Sequence, residues 1–199
     1  MDDAEYEQKK SKAVETIFEM MVDRELVQKP SPSEAKGDGA PLCFGRAGDA
    51  ADDVAVFFAR NPKVGIGHVQ DIAARLQAAA KTRCILVVIN PVSHKARGAI
   101  KNHRAQGVRF ELYRLSELQY NPTRHVAVPS HRICTPAEAE KLYKTYDIKP
   151  REKFDKMKII DRADAVMRYF GADRGQLIEI KRPSHTMPGF YEIDYRLVA

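Results

Sequence analysis

The 199-residue sequence has no tryptophan, few other aromatic residues and only short apolar runs. A run such as residues 85–89 (ILVVI) is far shorter than the ~20 residues that a membrane-spanning helix needs. The first ten residues, MDDAEYEQKK, are acidic and polar where a secretory signal peptide has its apolar segment. These absences predict a chain that carries no secretory signal and makes no contact with a membrane.

Cysteine is equally scarce, and its spacing argues against two kinds of site. Cys43, Cys84 and Cys134 are odd in number and far apart, and no CxxC pair is present. This pattern argues against a disulfide framework and against a cysteine-ligated zinc site, and it favours buried free thiols in a reducing compartment. The six histidines form no HExxH or His-x-His motif. The sequence therefore predicts no metal ion and no other cofactor.

Acidic residues are almost absent from the middle of the chain. Residues 60–114 contain 11 lysines and arginines but only two acids, Asp71 and Glu111, which gives this block a net charge of +9. Residues 1–59 have a net charge of −6, and residues 115–199 have a net charge of +3. A block of one sign at this density is a candidate surface for a polyanion. Charge alone equally allows a basic surface that is simply solvated.

The periodicity of apolar residues predicts an α/β arrangement in residues 1–120. Helical spacing predicts a first helix over residues 11–26 with Ser11 as its cap, followed by a loop over residues 29–42. Beyond the loop, predicted strands and helices alternate: strand 54–59, helix 69–80, strand 84–89, helix 93–105 and strand 108–115. The third of these segments is apolar on both faces, which predicts a strand inside the sheet. The alternation favours a layered α/β fold.

Two prolines in residues 121–131 (NPTRHVAVPSH) interrupt this alternation. They predict a junction between two domains, 1–124 and 125–199. In the second domain, Thr135 is predicted to cap a helix whose first residue is a proline. The remaining predicted elements are a helix and two strands joined by a turn, over residues 161–171, 176–182 and 190–198.

Motifs for catalysis are weak or missing. GIGHVQ, at residues 65–70, begins like a dinucleotide-binding fingerprint but lacks the third glycine. A metal-dependent nuclease of the restriction type needs an Asp on one strand and a Glu-x-Lys on the next. Glu111 is followed by Leu112 and Tyr113, without a lysine at that spacing. No GxSxG motif is present, although spacing alone leaves a Ser–His–Asp or Cys–His set open. We therefore expect no catalysis by this chain alone.

The C-terminal part of the sequence resembles a known family. The matching stretches are VPSH (128–131), KLYKTY (141–146), RADAVMRYFGADRGQLIEIKRPS (162–184) and YRLV (195–198). In order and spacing they are similar to the motif of the shared fifth subunit of eukaryotic nuclear RNA polymerases, which has a shorter equivalent in the archaeal enzyme. The N-terminal half resembles the same family more weakly, in residues 14–26, 61–72 and 85–100. The resemblance therefore covers nearly the whole chain.

The sequence departs from the family pattern at several positions. His185 and Phe190 stand where the family has a glutamate and an arginine, and Pro188 reads as an inserted residue. In the loop after the ILVVI strand, Val92 and Ser93 align with a threonine and a proline of the family. These departures fit a divergent lineage or a specialised paralogue.

The resemblance implies the fold and the function of a polymerase subunit. It implies an α/β N-terminal jaw domain with a nuclease-like topology and no catalytic residues, together with a small α+β C-terminal assembly domain. The jaw domain is expected to lie beside the downstream DNA, and the assembly domain to dock on the largest subunit and neighbouring small subunits. The chain is thus expected to be a non-catalytic subunit of a multisubunit DNA-directed RNA polymerase in the nucleus.

Particular residues follow from the resemblance and from the charge pattern. Non-specific contact with the phosphates of the downstream duplex is expected, through Ser93, His94, Lys95, Arg97, Lys101 and Arg104. Docking is expected from the matched C-terminal motif, because tyrosine and arginine anchors are typical of protein interfaces. The predicted docking residues are His131, Tyr169, Gly171, Arg174, Gly175, Arg182, Ser184, Tyr191, Tyr195 and Arg196.

The sequence leaves two other functions open. One is a free-standing basic DNA-binding factor, and the other is a divalent-metal nuclease. Magnesium-dependent cleavage of DNA by the purified chain would favour the nuclease. Affinity purification without the two large polymerase subunits would favour the free-standing factor.

Overall fold

The computed structural model describes residues 2–29, 41–46, 49–61, 63–184, 186–187 and 189–199. These residues form two compact units, Met1–Tyr120 and Asn121–Ala199. Within the described residues, no helix is both long enough and apolar enough to cross a membrane.

The first unit is an α/β domain with a five-stranded mixed sheet. Its elements are, in chain order, α1 (Asp3–Asp23), β1 (Val27–Lys29), β2 (Leu42–Arg46), β3 (Asp49–Ala59), α2 (Ile66–Ala78), β4 (Arg83–Val88), α3 (His94–Ala105) and β5 (Arg109–Arg114). The strand order in the sheet is β1-β2-β3-β4-β5. The first three strands pair antiparallel. The last three are parallel, because α2 and α3 return the chain across the sheet.

Helices α2 and α3 pack on one face of this sheet. Alternate residues of β3, β4 and β5 point to this face, and they form one core cluster with the apolar sides of both helices. The cluster includes Ala55, Phe57, Cys84, Leu86, Val88, Val69, Ile72, Leu76 and Ala96. This core fixes the position of α3 and leaves the opposite side of that helix exposed.

Helix α1 packs on the other face of the sheet. Its cap is Asp2, whose carboxylate accepts hydrogen bonds from the backbone N–H groups of Ala4 at 2.7 Å and Glu5 at 3.3 Å. Further along the helix, the ring of Phe18 packs edge-on against Phe44 of β2, with 5.2 Å between the ring centroids. Both faces of the central strands are therefore covered, as the apolar sequence of β4 predicts.

A buried carboxylate lies on the α1 side of the sheet. Arg24 donates a hydrogen bond to Glu111 of β5 at 2.9 Å, and the two side chains are only 4% and 10% exposed. Arg109 and Arg83 lie 3.6 Å and 3.8 Å from the same carboxylate. Burial raises the pKa of Glu111, but the charges of the three arginines outweigh burial and hold that pKa below its ordinary value. The single acid of β5 is thus a structural counter-ion.

The second unit is a small α+β domain on a four-stranded sheet. Two single 3-10 turns, Pro122–Arg124 and Pro150–Glu152, accompany its elements. These are β6 (Ser130–Ile133), α4 (Pro136–Thr145), α5 (Lys153–Lys156), β7 (Ile159–Ile160), α6 (Ala165–Phe170), β8 (Leu177–Pro183) and β9 (Tyr191–Val198). The strand order is β6-β8-β9-β7. The β6–β8 and β8–β9 pairs are antiparallel, and β7 pairs with β9 in parallel.

Apolar clusters cover both faces of the second sheet at one end of the β8–β9 pair. On one face the cluster comprises Ile178, Ile180 and Val198 of the sheet with Val166 and Met167 of α6. On the other face it comprises Leu177, Cys134 and Tyr143, the last from α4. The opposite end of the strand pair is exposed on both faces.

Most of the predicted elements occur. β3, α2, β4, α3, β5, α4, α6, β8 and β9 all lie within five residues of their predicted bounds. Thr135 caps α4 in a capping box with Glu138. α6 ends at Gly171, whose φ of 63° is the left-handed conformation that glycine adopts at helix ends.

The start of α1 and four short strands differ from the prediction. α1 begins at Asp3, eight residues before the predicted cap Ser11, because Asp2 caps it and Tyr6 adds a buried position. β1, β2, β6 and β7 have two to five residues each, which is too short for an alternating pattern to be recognised. Most of the predicted loop over residues 29–42 lies outside the described residues.

The division between the units lies four residues before the predicted boundary at 124/125. Asn121 contacts the second unit, because its side-chain amide donates to the hydroxyl of Tyr169 at 2.9 Å. The 3-10 turn that follows it packs against α6. The junction segment is therefore part of the second unit.

All three cysteines are buried free thiols, which confirms the prediction from their spacing. Burial raises the pKa of the Cys84 thiol well above its usual value. Burial also raises the pKa of Cys134. Desolvation disfavours the thiolate at both positions.

We expect Glu111→Gln to lower the free energy of unfolding by about 3 kcal/mol or more, because it leaves three arginines without their shared carboxylate. Urea denaturation of the full chain measures this. The matched control is Glu140→Gln, which removes an exposed ion pair with Lys144 (3.1 Å) and should cost under about 1 kcal/mol. Equal losses in the two variants would contradict the structural role of Glu111.

The same pair of proteins gives a pH test. The pKa of Glu111 is lowered on folding, so its contribution is complete above the ordinary value of 4.5 and is lost as pH falls through the folded pKa. The stability difference between wild type and Glu111→Gln should therefore narrow in acid.

Candidate docking surface and candidate nucleic-acid interface

Basic residues of the middle block lie along the exposed side of α3. His94, Arg97, Lys101 and Arg104 follow one another at intervals of three, four and three residues, so they form one stripe on the helix. All four are exposed, as is Lys95 beside them. The stripe is about 15 Å long at the rise of an α-helix. That length matches about four phosphates along one DNA strand.

The start of α3 is fixed by residues with structural roles. The Ser93 hydroxyl accepts a hydrogen bond from the N–H of Ala96 at 3.2 Å and so caps the helix. Val92 is buried in the core of the unit. The predicted DNA-contact residue Ser93 therefore serves the helix backbone, and the cations that follow it are the exposed groups.

The end of the β8–β9 hairpin carries several of the predicted docking residues. Its direct cross-strand pairs are Lys181↔Ile193, Arg182↔Glu192 and Pro183↔Tyr191, and all six residues are exposed. Successive residues of a strand point to opposite faces. The two faces therefore differ: Tyr191 and Ile193 share one with Lys181, while Arg182 and Glu192 share the other.

Exposed apolar side chains concentrate at this place. Tyr191 is 60% exposed, and the Nζ atom of Lys181 lies 4.4 Å from its ring centroid in a cation–π contact. Met187, Phe190 and Ile193 are each more than half exposed. We call Met187, Phe190, Tyr191 and Ile193 the hairpin end. A cluster of this kind, next to cations, is typical of a protein-binding surface.

A row of polar side chains crosses three strands next to the hairpin end. Arg132, Glu179 and Tyr195 are direct neighbours on β6, β8 and β9. Arg132 donates to Glu179 at 3.1 Å and to Glu138 at 2.8 Å, and the Tyr195 hydroxyl donates to Glu179 at 3.2 Å. The hydrogen bond from Arg132 lowers the pKa of Glu138 to about 2. The predicted docking residue Tyr195 is thus half-buried with its hydroxyl engaged.

His131, Arg182 and Arg196 lie on the opposite face of the sheet. Nδ1 of His131 is 2.7 Å from the Pro129 carbonyl oxygen, so this nitrogen carries the proton and donates. Burial lowers the pKa of His131, and the charges of Arg182 and Arg196 act in the same direction, so the ring is neutral at pH 7. Arg196 is half-buried and bonds Asp194 at 3.1 Å. Arg182 is exposed and makes no ion pair with a described residue.

Three predicted docking residues act inside the unit, which corrects the prediction. Tyr169 is only 2% exposed, and its hydroxyl accepts the hydrogen bond from Asn121. Gly171 ends α6, and Gly175 turns the chain before β8 with a φ of 89°, a conformation that favours glycine. These positions shape the unit and offer no side chain to a partner.

Arg174 and Ser184 remain near the surface. The guanidinium of Arg174 lies 5.1 Å from the ring centroid of Phe154. The Ser184 hydroxyl donates to Glu192 at 2.7 Å and accepts from the backbone N–H of Met187 at 3.3 Å. Ser184 therefore holds the turn of the hairpin against β9.

Two of the departures from the family pattern, His185 and Pro188, lie outside the described residues. The third, Phe190, is 64% exposed and belongs to the hairpin end. An aromatic ring thus stands at the surface where the family has an arginine.

The chemistry that these residues offer is binding. Among the described residues, no three His, Cys, Asp or Glu side chains lie close enough together to hold a metal ion. Glu111, the acid nearest to a nuclease motif, is occupied by arginines. The α3 stripe suits a polyanion, and the hairpin end suits a protein surface.

Lys181, Arg132 and Ile193 belong to the surface and are absent from the predicted site residues. Alternation along residues 190–198 indicates Ile193, since it shares a face with Tyr191. Lys181 and Arg132 gain their roles only when β8 pairs with its two neighbouring strands, and no local pattern indicates that pairing.

Comparison with known proteins identifies relatives for both units. Residues 120–198 match the family model for RNA polymerase Rpb5, C-terminal domain. The chain is 34% identical over 185 residues to the DNA-directed RNA polymerases I, II, and III subunit RPABC1 of Caenorhabditis briggsae, which covers 93% of this chain and 82% of that protein. It is 29% identical over 189 residues to the corresponding subunit of Dictyostelium discoideum, covering 92% of this chain and 93% of that protein. An archaeal relative, DNA-directed RNA polymerase subunit Rpo5 of Pyrococcus abyssi, is 36% identical over 80 residues, which is 40% of this chain and 90% of that protein.

We expect Tyr169→Phe to lower the stability of the second unit by about 1 kcal/mol, because it removes the hydroxyl that accepts from Asn121. Thermal or urea unfolding of the full chain measures this. The control, Tyr146→Phe, alters a tyrosine that is 66% exposed and should leave stability unchanged. Unaltered stability of Tyr169→Phe would show that the buried hydrogen bond contributes nothing.

Proposed function

Because this chain belongs to the family of the shared fifth subunit of nuclear RNA polymerases, it is a non-catalytic component of a multisubunit DNA-directed RNA polymerase, and we propose a division of binding between its two units. The second unit docks on the largest polymerase subunit and its small neighbours in the nucleus. The first unit lies in the jaw of the enzyme, beside the downstream DNA.

The docking role is supported chiefly by the hairpin end. Four apolar side chains, each more than half exposed, gather there within the segment that matches the family model. Such a group is costly to leave in water and gains free energy when a partner covers it. Tyrosine and arginine are the residue types that dominate binding energy at interfaces, and Tyr191 and Arg182 supply both.

The DNA-facing role is supported by the α3 stripe. Its cations are exposed, and they lie on the side of α3 that faces away from the core. Lysine and arginine bind phosphates without regard to base sequence. A polymerase that travels over every sequence needs a contact of this kind.

We expect Tyr191→Ala to weaken docking by about 2 kcal/mol, roughly thirtyfold in affinity, because it removes the largest aromatic anchor on its face of the hairpin. The measurement is co-purification of the tagged full chain with the two large polymerase subunits, followed by titration of the purified chain onto polymerase that lacks it.

The matched control is Tyr120→Ala, a tyrosine of similar exposure (64%) outside the hairpin. It should bind as wild type does. A folded Tyr191→Ala variant that binds as well as this control would remove Tyr191 from the docking surface. A wild-type chain that purifies without the large subunits would refute the proposed function itself.

We expect the double change Lys95→Ala and Arg97→Ala to weaken the binding of the jaw to DNA equally on all sequences. The dependence of complex stability on salt should become shallower by about one unit of slope for each phosphate that is no longer neutralised. The measurement is the lifetime of assembled elongation complexes at rising salt concentration.

The control for this test removes the same charge elsewhere. Lys9→Ala with Lys12→Ala lies on α1, which packs on the opposite face of the sheet. That variant should retain the wild-type salt dependence, and both variants should assemble normally. Identical salt curves for all three proteins would mean that the α3 stripe is only a solvated surface.

A further inference from the structure

The hydrogen-bond pattern of β8 and β9 fixes which backbone groups of β9 face its partner. In an antiparallel pair, residues that exchange bonds with the neighbouring strand alternate with residues whose N–H and C=O point away. The N–H of Ser184 donates to the carbonyl of Phe190 at 2.9 Å, and that of Val198 donates to Gln176 at 3.0 Å. Both pairs fit the single register of β8 and β9. The even-numbered residues of β9 therefore face β8.

The odd-numbered residues of β9 direct their backbone groups to the opposite edge. β7 uses that edge where it passes, because Leu197 donates to the carbonyl of Lys158 at 2.8 Å and Ala199 donates to that of Ile160 at 3.0 Å. These bonds demonstrate that the edge accepts a strand. β7 is only two residues long, however, and its register covers only the last part of β9.

The edge is open at Tyr191 and Ile193. Among the described residues, no backbone group pairs with the outward N–H and C=O of these two residues. The two sets of groups are about 7 Å apart at the rise of a strand. An extended chain presents its own donors and acceptors with the same repeat, so this edge selects a strand as its occupant.

The side chains at the open edge do not guard it. Edge strands of monomeric proteins are usually protected by charges or prolines. Tyr191 and Ile193 are apolar, lie on one face and are 60% and 55% exposed. The outer edge of β6, in contrast, carries His131 and Arg132 on a strand of four residues. The unguarded edge is therefore the one at the hairpin end.

A second copy of this chain is a poor occupant of the edge. The chain has a net charge of +6, so two copies repel each other. The edge is also continuous with the hairpin end, to which the proposed function assigns the largest polymerase subunit.

We propose that an extended segment of the largest polymerase subunit adds to the open edge of β9 as a further strand, continuing the line of β7. This inference rests on the proposed function, which supplies the partner. The backbone groups of Tyr191 and Ile193 pair with the segment. Its side chains alternate, with apolar residues on the face of Tyr191 and Ile193 and polar residues on the face of Glu192.

Proline at residue 193 tests the proposal. Ile193→Pro removes an N–H that points outward, so the bonds between β8 and β9 are kept, and proline is tolerated at such edge positions. Ile193→Ala is the matched control, because it loses the side chain and keeps the N–H. Both full-length variants are titrated onto polymerase that lacks this subunit. Ile193→Pro should bind about tenfold more weakly than Ile193→Ala, since a partner carbonyl loses its donor.

Equal affinities of the two variants, with Ile193→Pro folded by circular dichroism, would overturn the strand addition. The proposed function would still stand in that case, provided that wild-type chain binds the polymerase. Failure of the proposed function has a different signature, because the wild-type chain itself would then not bind.

Hydrogen exchange of the wild-type chain decides the matter if Ile193→Pro fails to fold. The N–H groups of Tyr191 and Ile193 should exchange at least tenfold more slowly in the assembled polymerase than in the free chain. Those of Glu192 and Asp194, which already face β8, should change much less. Unchanged exchange at the odd positions would overturn the proposal, as would protection that arises from self-association of the free chain at high concentration.

Discussion

The antiparallel ladder between β8 and β9 is the constraint on which the second unit depends. One end of the ladder holds Leu177, Ile178 and Val198, which join the apolar clusters on the two faces of the sheet. The other end continues past both clusters, so its side chains remain exposed. A single register therefore does two things: it closes the core at one end, and it presents an ordered apolar surface at the other.

The first unit reaches a similar result through the placement of charge. Its basic block contains few acids, and one of them, Glu111, neutralises arginines inside the structure. The cations of α3 remain outside, on the side of the helix that does not pack. The scarcity of acids that suggests a polyanion surface also explains why no acid of β5 is left for metal chemistry. The fold of the unit carries the surface and leaves catalysis to other subunits.

The helices and long strands could be predicted from the sequence because their signals are local. Periodicity predicts α2, α3, β4 and β9, and Thr135 caps α4 through contacts within one turn. The short strands depend on distant partners and carry no pattern of their own. The same distinction holds at the site. The charges of α3 are visible in the sequence, whereas the burial of Tyr169, the contact of Lys181 with Tyr191 and the open edge of β9 arise only from tertiary pairing.

The burial of all three native thiols has a practical consequence. Buried cysteines in apolar surroundings react slowly with thiol-directed reagents, because the reactive species is the thiolate. A cysteine introduced at an exposed position would then be the fastest-reacting thiol of the chain, and the natural cysteines could stay in place. A fluorophore attached on α3, or in a second protein at the hairpin end, would report on one unit at a time inside the working enzyme.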